Sequence, residues 1–215
     1  MKRYIIILIA LIVLSSCKKT TKSYYSDGII RSEISYVGSE REGRARYYYP
    51  NGALQQEAWY KDDQLDGIMR QWKATGVLLL EEHYKGGKKN GPSIQFDMNG
   101  RKSVELSYVN DTLEGKAREW YGNGVLRTDG IYKQGRYEGE WLWYGIDGRV
   151  VGKGSFKDGT GIAKAFYPSG KLLRVSRYEQ GVHSGKEELY DSTGMLVKVR
   201  EYQAGKIVKE QTIAE

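Results

Sequence analysis

Residues 47–60 read Tyr-Tyr-Tyr-Pro-Asn-Gly-Ala-Leu-Gln-Gln-Glu-Ala-Trp-Tyr, and this stretch holds the pattern that decides the fold. Its glycine belongs to a series that runs through the chain: Gly28, Gly52, Gly76, Gly100, Gly124, Gly148, Gly170 and Gly194. The step is 24 residues five times, then 22, then 24. An aromatic follows each glycine eight residues later: Tyr36, Tyr60, Tyr84, Tyr108, Tyr132, Phe156, Tyr178 and Tyr202. A fixed period of this length predicts a repeat array.

The residues around these glycines predict β-hairpins. Asn, Asp or Ser precedes six of them, and Asn-Gly and Asp-Gly pairs are strong hairpin signals because glycine adopts positive φ without steric cost. Pro50 and Pro168 fit the second position of a type I turn, which leaves the glycine in a left-handed bulge position. That register pairs the residue two after each glycine with the residue four before it: Leu54 with Tyr48, Leu78 with Trp72, Lys102 with Phe96, Leu126 with Trp120, Val150 with Tyr144, Leu172 with Phe166 and Leu196 with Tyr190.

A second turn follows most of the glycines ten or eleven residues on, so each period holds two strands and two turns. The sequence therefore predicts an all-β fold, an elongated single-layer antiparallel meander of about eight hairpin repeats. Counting along the strands places two sets of residues on one face. These are the aromatic–aliphatic pairs and the aromatics eight residues after each glycine, here called the Tyr36-type aromatics. The acids five residues after the glycines then fall on a polar second face: Glu33, Glu57, Glu81, Glu105 and Asp129.

The N-terminal segment lies outside this pattern. Its apolar run, Ile5 to Leu14, is too short to span a bilayer, which takes about 20 apolar residues, but is typical of a secretory signal. The stretch Leu14-Ser15-Ser16-Cys17 resembles a bacterial lipobox, in which the cysteine receives a lipid before cleavage on its N-terminal side. The alternative is an uncleaved anchor with an incidental cysteine.

Three segments follow from this interpretation. Residues 1–16 are predicted to be a lipoprotein signal peptide, residues 17–23 the lipidated Cys17 and a flexible tether, and residues 24–215 the repeat domain. Lys18 and Lys19 follow the cysteine, where lipoproteins kept at the inner membrane often carry Asp. The resemblance thus implies anchoring of a palmitate-bearing lipoprotein at the outer membrane, facing the periplasm.

Composition and residue inventory argue against several functions. Removing Lys2 and Arg3 with the leader lowers the formal charge from +7 to +5, and both signs are interspersed, so nucleic-acid binding is not expected. The two histidines, His83 and His183, are about four repeats apart, and no metal-ligand spacing or phosphate-binding loop is present. The sequence predicts no catalytic residues, no metal and no cofactor.

The fragments Tyr137-Glu138-Gly139-Glu140-Trp141 and Asp191-Ser192-Thr193-Gly194-Met195-Leu196, with residues 60–67, resemble MORN repeats. They are most similar to the bacterial MORN variant of YwqK-type antitoxin-like proteins, over roughly residues 24–210. The resemblance implies an elongated single-layer sheet of hairpins. The antitoxin label of that family rests on gene context, and a signal peptide argues against a cytoplasmic toxin partner.

Binding remains as the expected function, and aromatics outside the repeat pattern are the candidate contact residues. These are Trp59, Trp141, Trp143, Tyr47 and Tyr121. Counting along the strands places Trp59, Trp141, Trp143 and Tyr47 on the face opposite the aliphatic residues, where exposed rings suit a partner. Local packing of that face is the alternative. Two hypotheses follow: a lipoprotein scaffold that binds another envelope protein, or a binder of glycan or peptidoglycan.

Overall fold

The computed structural model describes residues 17–213. Every regular element in this part of the chain is a β-strand, so the described residues include no helix that could cross a membrane. The strands are β1 (Lys19–Tyr24), β2 (Ile30–Val37), β3 (Glu40–Tyr48), β4 (Leu54–Lys61), β5 (Gln64–Leu65), β6 (Gly67–Trp72), β7 (Leu78–Lys85), β8 (Lys88–Phe96), β9 (Lys102–Val109), β10 (Thr112–Trp120), β11 (Leu126–Lys133), β12 (Arg136–Tyr144), β13 (Val150–Lys157), β14 (Thr160–Phe166), β15 (Leu172–Glu179), β16 (Val182–His183), β17 (Gly185–Tyr190), β18 (Leu196–Gln203) and β19 (Lys206–Thr212).

All nineteen strands belong to one sheet, and each pairs antiparallel with its neighbours along the chain. The predicted all-β antiparallel meander is therefore confirmed. Two strands are interrupted: β5 and β6 lie in line against β4, and β16 and β17 lie in line against β15.

The turns at the periodic glycines have the predicted geometry. At Gly52, for example, the glycine amide donates to the Tyr49 carbonyl at 2.9 Å, and the Tyr49 amide donates to the Ala53 carbonyl at 2.8 Å. Gly52 has a φ of +79°, which an L side chain rarely adopts. The bulged register is confirmed for all seven predicted pairs, from Tyr48 opposite Leu54 to Tyr190 opposite Leu196.

The second set of turns consists of two-residue loops, and in all of them except Gly38-Ser39 positive φ occurs at both central positions, as in type I′ hairpins. Two of them contain no glycine and were missed by the sequence pattern: Asp62-Asp63 and Asn110-Asp111. Asn and Asp tolerate the left-handed conformation better than other side chains, which explains these replacements. The second residue of such a turn donates to the preceding repeat, as the Asp111 amide does to the Lys89 carbonyl at 3.0 Å.

The predicted division into an apolar and a polar face is wrong. Each bulge adds one residue after the glycine, so counting by twos fails on the strand that leaves the turn. Lys102 and Glu105 are an odd number of residues apart, yet their side chains lie 3.4 Å apart on one face. Tyr48, partner of an aliphatic residue, likewise donates to Glu33 at 2.9 Å. The aliphatic residues therefore share a face with the acids, here called the ladder face.

The opposite face, here called the core face, holds the most buried side chains. Its central line is formed by residues seven before and six after the periodic glycines, and most of them are small or buried polar residues: Ala45, Ala58, Met69, Glu82, Ser93, Ala117, Trp141, Ser176 and Glu187. Beside this line the Tyr36-type aromatics alternate with residues that pair opposite them, and we call this set the aromatic row: Tyr36, Arg41, Tyr60, Leu65, Tyr84, Lys89, Tyr108, Leu113, Tyr132, Tyr137, Phe156, Tyr178, His183 and Tyr202.

The single 22-residue step has a structural cause. In β10, Leu113 and Ala117 pair with Tyr108 and Leu106, so two extra residues bulge out around Gly115, whose φ is +101°. In β14 the corresponding pairs are regular, since residues 160–165 pair one-to-one with residues 152–157. The short period has two residues fewer because its strand β14 lacks this bulge. As a result, Gly161 takes the place opposite Phe156 that a side chain of the aromatic row fills elsewhere.

Residues 19–24 form a strand, so the predicted tether at 17–23 and the predicted domain start at residue 24 are corrected. Strand β1 lies at the edge of the sheet and pairs with β2 over its whole length. Its polar side chains find partners there: Lys22 lies 2.8 Å from Glu33, and Ser23 lies 2.7 Å from Ser32. A polar composition suits an exposed edge strand as well as it suits a linker. The predicted signal peptide, residues 1–16, lies outside the described residues.

Gly130→Ala tests the packing at the centre of the core face. A methyl group at this position would lie 2.2 Å from the Trp141 ring, so the substitution is expected to lower the free energy of unfolding by about 1–3 kcal/mol. Gly122→Ala is the matched control, because no atom lies within 4 Å of the added methyl group. Urea denaturation followed by far-UV circular dichroism measures both variants. Equal midpoints would contradict the packing described here.

Candidate partner-binding groove on the core face

Trp141, predicted to be an exposed contact residue, is buried. Only 3% of it is accessible, and its indole nitrogen donates to the Ile131 carbonyl at 3.1 Å. The ring lies over Gly130 and packs against Tyr132 and Tyr137, with ring centres 5.0 and 4.3 Å away. Trp141 is therefore the centre of the hydrophobic core, together with Ala117 and Phe156.

Trp143 lies on the same face and remains partly accessible. Its ring stacks on Trp141 with centres 6.2 Å apart at 29°, and it lies against Gly152, directly opposite on β13. The glycine leaves the flank of the indole uncovered on that side. Of the two tryptophans of β12, Trp143 is thus the one available for contact.

A groove of about 440 Å³ begins at Trp143 and extends across β13, β14 and β15. Its walls are aromatic and its floor is made of small residues: Tyr137, Trp143, Phe156, Ala163, Ala165 and Tyr178. The Phe156 ring lies over Gly161, where an added methyl group would be 2.9 Å from it, and packs edge-on against Tyr178 with ring centres 5.8 Å apart. The shortened repeat therefore brings these two rings into contact, and both line the groove.

The polar end of the groove is connected to a buried charged cluster. Arg174 and Ser176 line the groove, and both approach Glu187, which is only 1% accessible. The Ser176 hydroxyl donates to Glu187 Oε1 at 3.0 Å, and Arg174 Nε lies 3.7 Å from the same oxygen. Arg200 approaches the other carboxylate oxygen at 3.4 Å. Arg174 thus makes an ion contact with this carboxylate and stays half exposed in the groove.

His183 completes this cluster. Its ring stacks between Tyr178 and Tyr202, with centres 5.0 and 3.7 Å away, and its Nε2 lies 3.8 Å from Glu187. This buried nitrogen has no hydrogen-bond partner among residues 17–213. Burial lowers the pKa of His183 below its ordinary value of 6.5; Glu187 opposes this shift and Arg174 adds to it.

The other predicted contact residues are dispersed. Trp59 stands two residues after Glu57 on β4 and therefore lies on the ladder face, together with the aliphatic residues. The prediction that it lies on the face opposite the aliphatic residues is wrong. Tyr47 lies on the core face, half-buried opposite Gln56, four repeats from the groove. Tyr121 is tied into the fold because its hydroxyl donates to the Tyr144 carbonyl at 2.9 Å.

Tyr121 is also less exceptional than the sequence pattern indicated. Three other tyrosines that stand three residues before a periodic glycine make the same bond to the next repeat: Tyr25, Tyr49 and Tyr167. The carbonyl acceptors belong to residues 48, 72 and 190. This position is therefore a recurring link between repeats.

The sequence did carry signals for the groove that were missed. Gly130 and Gly154 stand where other repeats place Ile34, Ala58 or Leu106, and they flank Trp141 on both sides. A glycine on the strand next to a tryptophan indicates that the indole ring lies directly over the backbone, as Trp141 does over Gly130. The 22-residue step was the second signal, since it marks the repeat that lacks the bulge.

Four segments match the model of a family described as MORN repeat variant: residues 19–37, 41–62, 113–134 and 160–180. Each covers one hairpin around a periodic glycine, and the first begins at the start of β1, in agreement with the corrected start of the array. This chain is similar to MORN repeats. No curated protein matches it.

The described residues offer few other chemical groups of interest. Residues 17–213 contain no group of three or more His, Cys, Asp or Glu side chains placed to hold a metal ion. Cys17 is exposed and not disulfide-bonded, two residues before the edge strand β1. The groove is thus a concave surface of the described chain where accessible aromatic rings lie beside a cation, Arg174.

The stability of the fold is expected to fall as the pH drops from 7 to 5. The unfolded chain binds a proton at His183 more readily than the folded chain, so protonation below pH 6.5 favours unfolding. His183→Gln should reduce this dependence. His83→Gln is the control, because His83 lies on the other face beside the Pro92 carbonyl, away from the cluster.

Urea midpoints at pH 7.0, 6.0 and 5.0 check this expectation. The carboxylates with lowered pKa values, such as Glu82 and Asp191, titrate below this window. A pH slope that is the same in both histidine variants would show that His183 is not its source.

Proposed function

We propose that this protein is a non-catalytic repeat scaffold that binds another protein of the bacterial cell envelope through the groove beside Trp143. The observation that carries the proposal is the groove itself, about 440 Å³ lined by aromatic and small side chains beside the Arg174 guanidinium. Interface centres are enriched in Trp, Tyr and Arg because these residues bring a large contact area together with polar groups. The similarity to MORN repeats supports a binding scaffold.

The lining of the groove favours a protein partner over a glycan. A sugar-binding surface combines an aromatic platform with Asp or Asn side chains that bind hydroxyl groups. The polar side chains bordering this groove are instead those of Arg174 and Ser176, with Tyr137 and Tyr178 as the other hydroxyl-bearing residues of the lining. Cationic and apolar groups in one groove suit an apolar protein segment with a neighbouring carboxylate.

We also propose that the scaffold is held at the membrane by a lipid on Cys17. The lipobox-like stretch before it and the exposure of its thiol support this assignment. With β1 beginning at Lys19, only Lys18 separates the lipidated residue from the sheet. A lipid anchor would then hold the N-terminal edge of the sheet close to the membrane surface, in our proposal the periplasmic side of the outer membrane.

Trp143→Ala is expected to lower the recovery of the envelope partner about 30-fold, as for the loss of roughly 2 kcal/mol at an interface centre. The measurement is affinity capture from envelope extract by the immobilised chain, quantified by mass spectrometry. Trp59→Ala is the matched control, a tryptophan on the other face of the sheet. Equal recovery of every protein by both variants would contradict the proposal. Loss of binding to purified peptidoglycan alone would favour the glycan alternative.

Cys17→Ser is expected to abolish incorporation of lipid into the protein, because the thioether to the lipid cannot form. Metabolic labelling of the host cells with radioactive palmitate measures this effect. Lys18→Ala serves as the control, since it changes the neighbouring residue and leaves the thiol intact. Palmitate labelling that persists in Cys17→Ser would disprove the anchor.

A further inference from the structure

A single row of directly paired residues crosses the ladder face from Lys22 on β1 to Val199 on β18. One residue from each long strand takes part, and each stands opposite the next: Lys22, Glu33, Arg46, Glu57, Arg70, Glu81, Ile94, Glu105, Arg118, Asp129, Leu142, Lys153, Lys164, Val175, Glu188 and Val199. We call this set the charge row. It includes the acids that the sequence placed on a polar face.

In the first part of the charge row, from Lys22 to Asp129, every cation is paired with an acid of the same row. Each of its cations lies close to an acid of the next strand: Lys22 at 2.8 Å from Glu33, Arg46 at 2.7 Å from Glu57, Arg70 at 2.7 Å from Glu81 and Arg118 at 2.9 Å from Asp129. Alternating charges across strands stabilise a sheet modestly, and here the alternation leaves no cation of this part without a carboxylate.

After Asp129 the alternation ends. Lys153 stands directly opposite Lys164, and the row continues on either side with Leu142 and Val175. Neither lysine is within 4.0 Å of a carboxylate in the described chain, and both are exposed. Like charges directly opposite one another destabilise a sheet. The lysine pair therefore does not stabilise the sheet, whereas the pairs of opposite charge in the rest of the row do.

The surface around the two lysines is concave and partly apolar. Two depressions, of about 260 and 270 Å³, lie on either side of Leu142 and share it as a wall together with Glu140. Ile131 borders the first and Ile162 the second, and these isoleucines are 47% and 43% exposed. Lys153 and Lys164 both line the second depression.

We propose that this part of the ladder face is a second binding surface, and that it takes an extended acidic segment of a protein partner. The carboxylates of the segment complete the charge row at Lys153 and Lys164, as Glu57 and Asp129 complete it elsewhere. Apolar side chains of the same segment fill the depressions beside Leu142. The surface is independent of the groove, which lies on the opposite face.

The charges of the ladder face favour a peptide over an anionic membrane. Within the charge row, the cations without a carboxylate partner occupy only two positions on adjacent strands, which match one or two carboxylates. Glu140 borders the same depressions, and acids of the charge row, Asp129 and Glu188, stand two strands away on either side, so an extended anionic surface would meet repulsion beyond the two lysines. The apolar depressions also require side chains that phosphate groups lack.

Lys153→Glu separates binding from folding. It restores the alternation, because a carboxylate then stands opposite Lys164 as Asp129 stands opposite Arg118. The urea midpoint is expected to stay equal or rise. Binding of a fluorescent peptide Leu-Gly-Glu-Gly-Glu-Gly-Leu, in which the glycines leave every side chain on one side of the extended chain, is expected to weaken at least tenfold by fluorescence anisotropy.

Three controls accompany this variant. Lys157→Glu makes the same change of net charge on the same strand, next to the turn, and should change affinity less than twofold. Trp143→Ala, on the other face, should leave peptide binding unchanged while affecting the groove. A peptide with Gln in place of Glu should bind at least tenfold more weakly to the unaltered chain.

The outcomes are distinguishable. Equal weakening by Lys153→Glu and Lys157→Glu, or equal binding of the Glu and Gln peptides, would overturn the proposal. Binding to phosphatidylglycerol vesicles that is lost in Lys153→Glu, with no peptide binding by the unaltered chain, would assign the surface to a lipid headgroup instead. Peptide binding that is lost only in Lys153→Glu, with an undiminished urea midpoint, supports the proposal.

Discussion

The tight turn at each periodic glycine, together with the bulge three residues later, is the constraint on which the rest of the sheet depends. Glycine supplies the positive φ of the turn, and the extra residue, such as Gln55 between Leu54 and Gln56, reverses which way the following strand presents its side chains. The strand before the turn and the strand after it therefore place the aromatic–aliphatic pair on one face and the Tyr36-type rings on the other. Because the bulge recurs in each repeat, both faces carry continuous rows: charged pairs on one, rings and small residues on the other.

Against this regular background, the two proposed binding surfaces lie where a repeat departs from the others. Deleting two residues from one period removes a second bulge, and Phe156 and Tyr178 then come into contact over Gly161 beside the groove. Gly130 in place of a larger residue makes room for Trp141, which in turn supports Trp143, and Gly154 makes room for the Phe156 ring. On the other face, Lys153 and Lys164 interrupt the alternating charges in the same pair of strands. All three departures fall between β11 and β15, so one short stretch carries both proposed surfaces.

Much of the architecture could be predicted from sequence because it is local. The turn type, the bulged register and the pairing of Leu54 with Tyr48 follow from Pro50, Asn51 and Gly52, a few residues apart. The face of the sheet on which Trp59 lies could not be predicted by counting residues along the strand, because the bulge shifts every later residue by one position. The burial of Trp141 depends on glycines in two other strands, and the strand at Lys19–Tyr24 depends on partners in β2, so both are decided by pairing across the sheet rather than by local composition.

The two interrupted strands also affect how this sheet can end. Since β5 with β6, and β16 with β17, each act as one strand, the sheet has an odd number of strand positions, and β1 and β19 run in the same direction. A second molecule added by simple translation would bring its β1 parallel to β19, against an array in which every other neighbour is antiparallel. Parallel pairing is less favourable per residue, and both edges carry lysines. Both features disfavour end-to-end growth of the sheet formed by residues 17–213 into a filament.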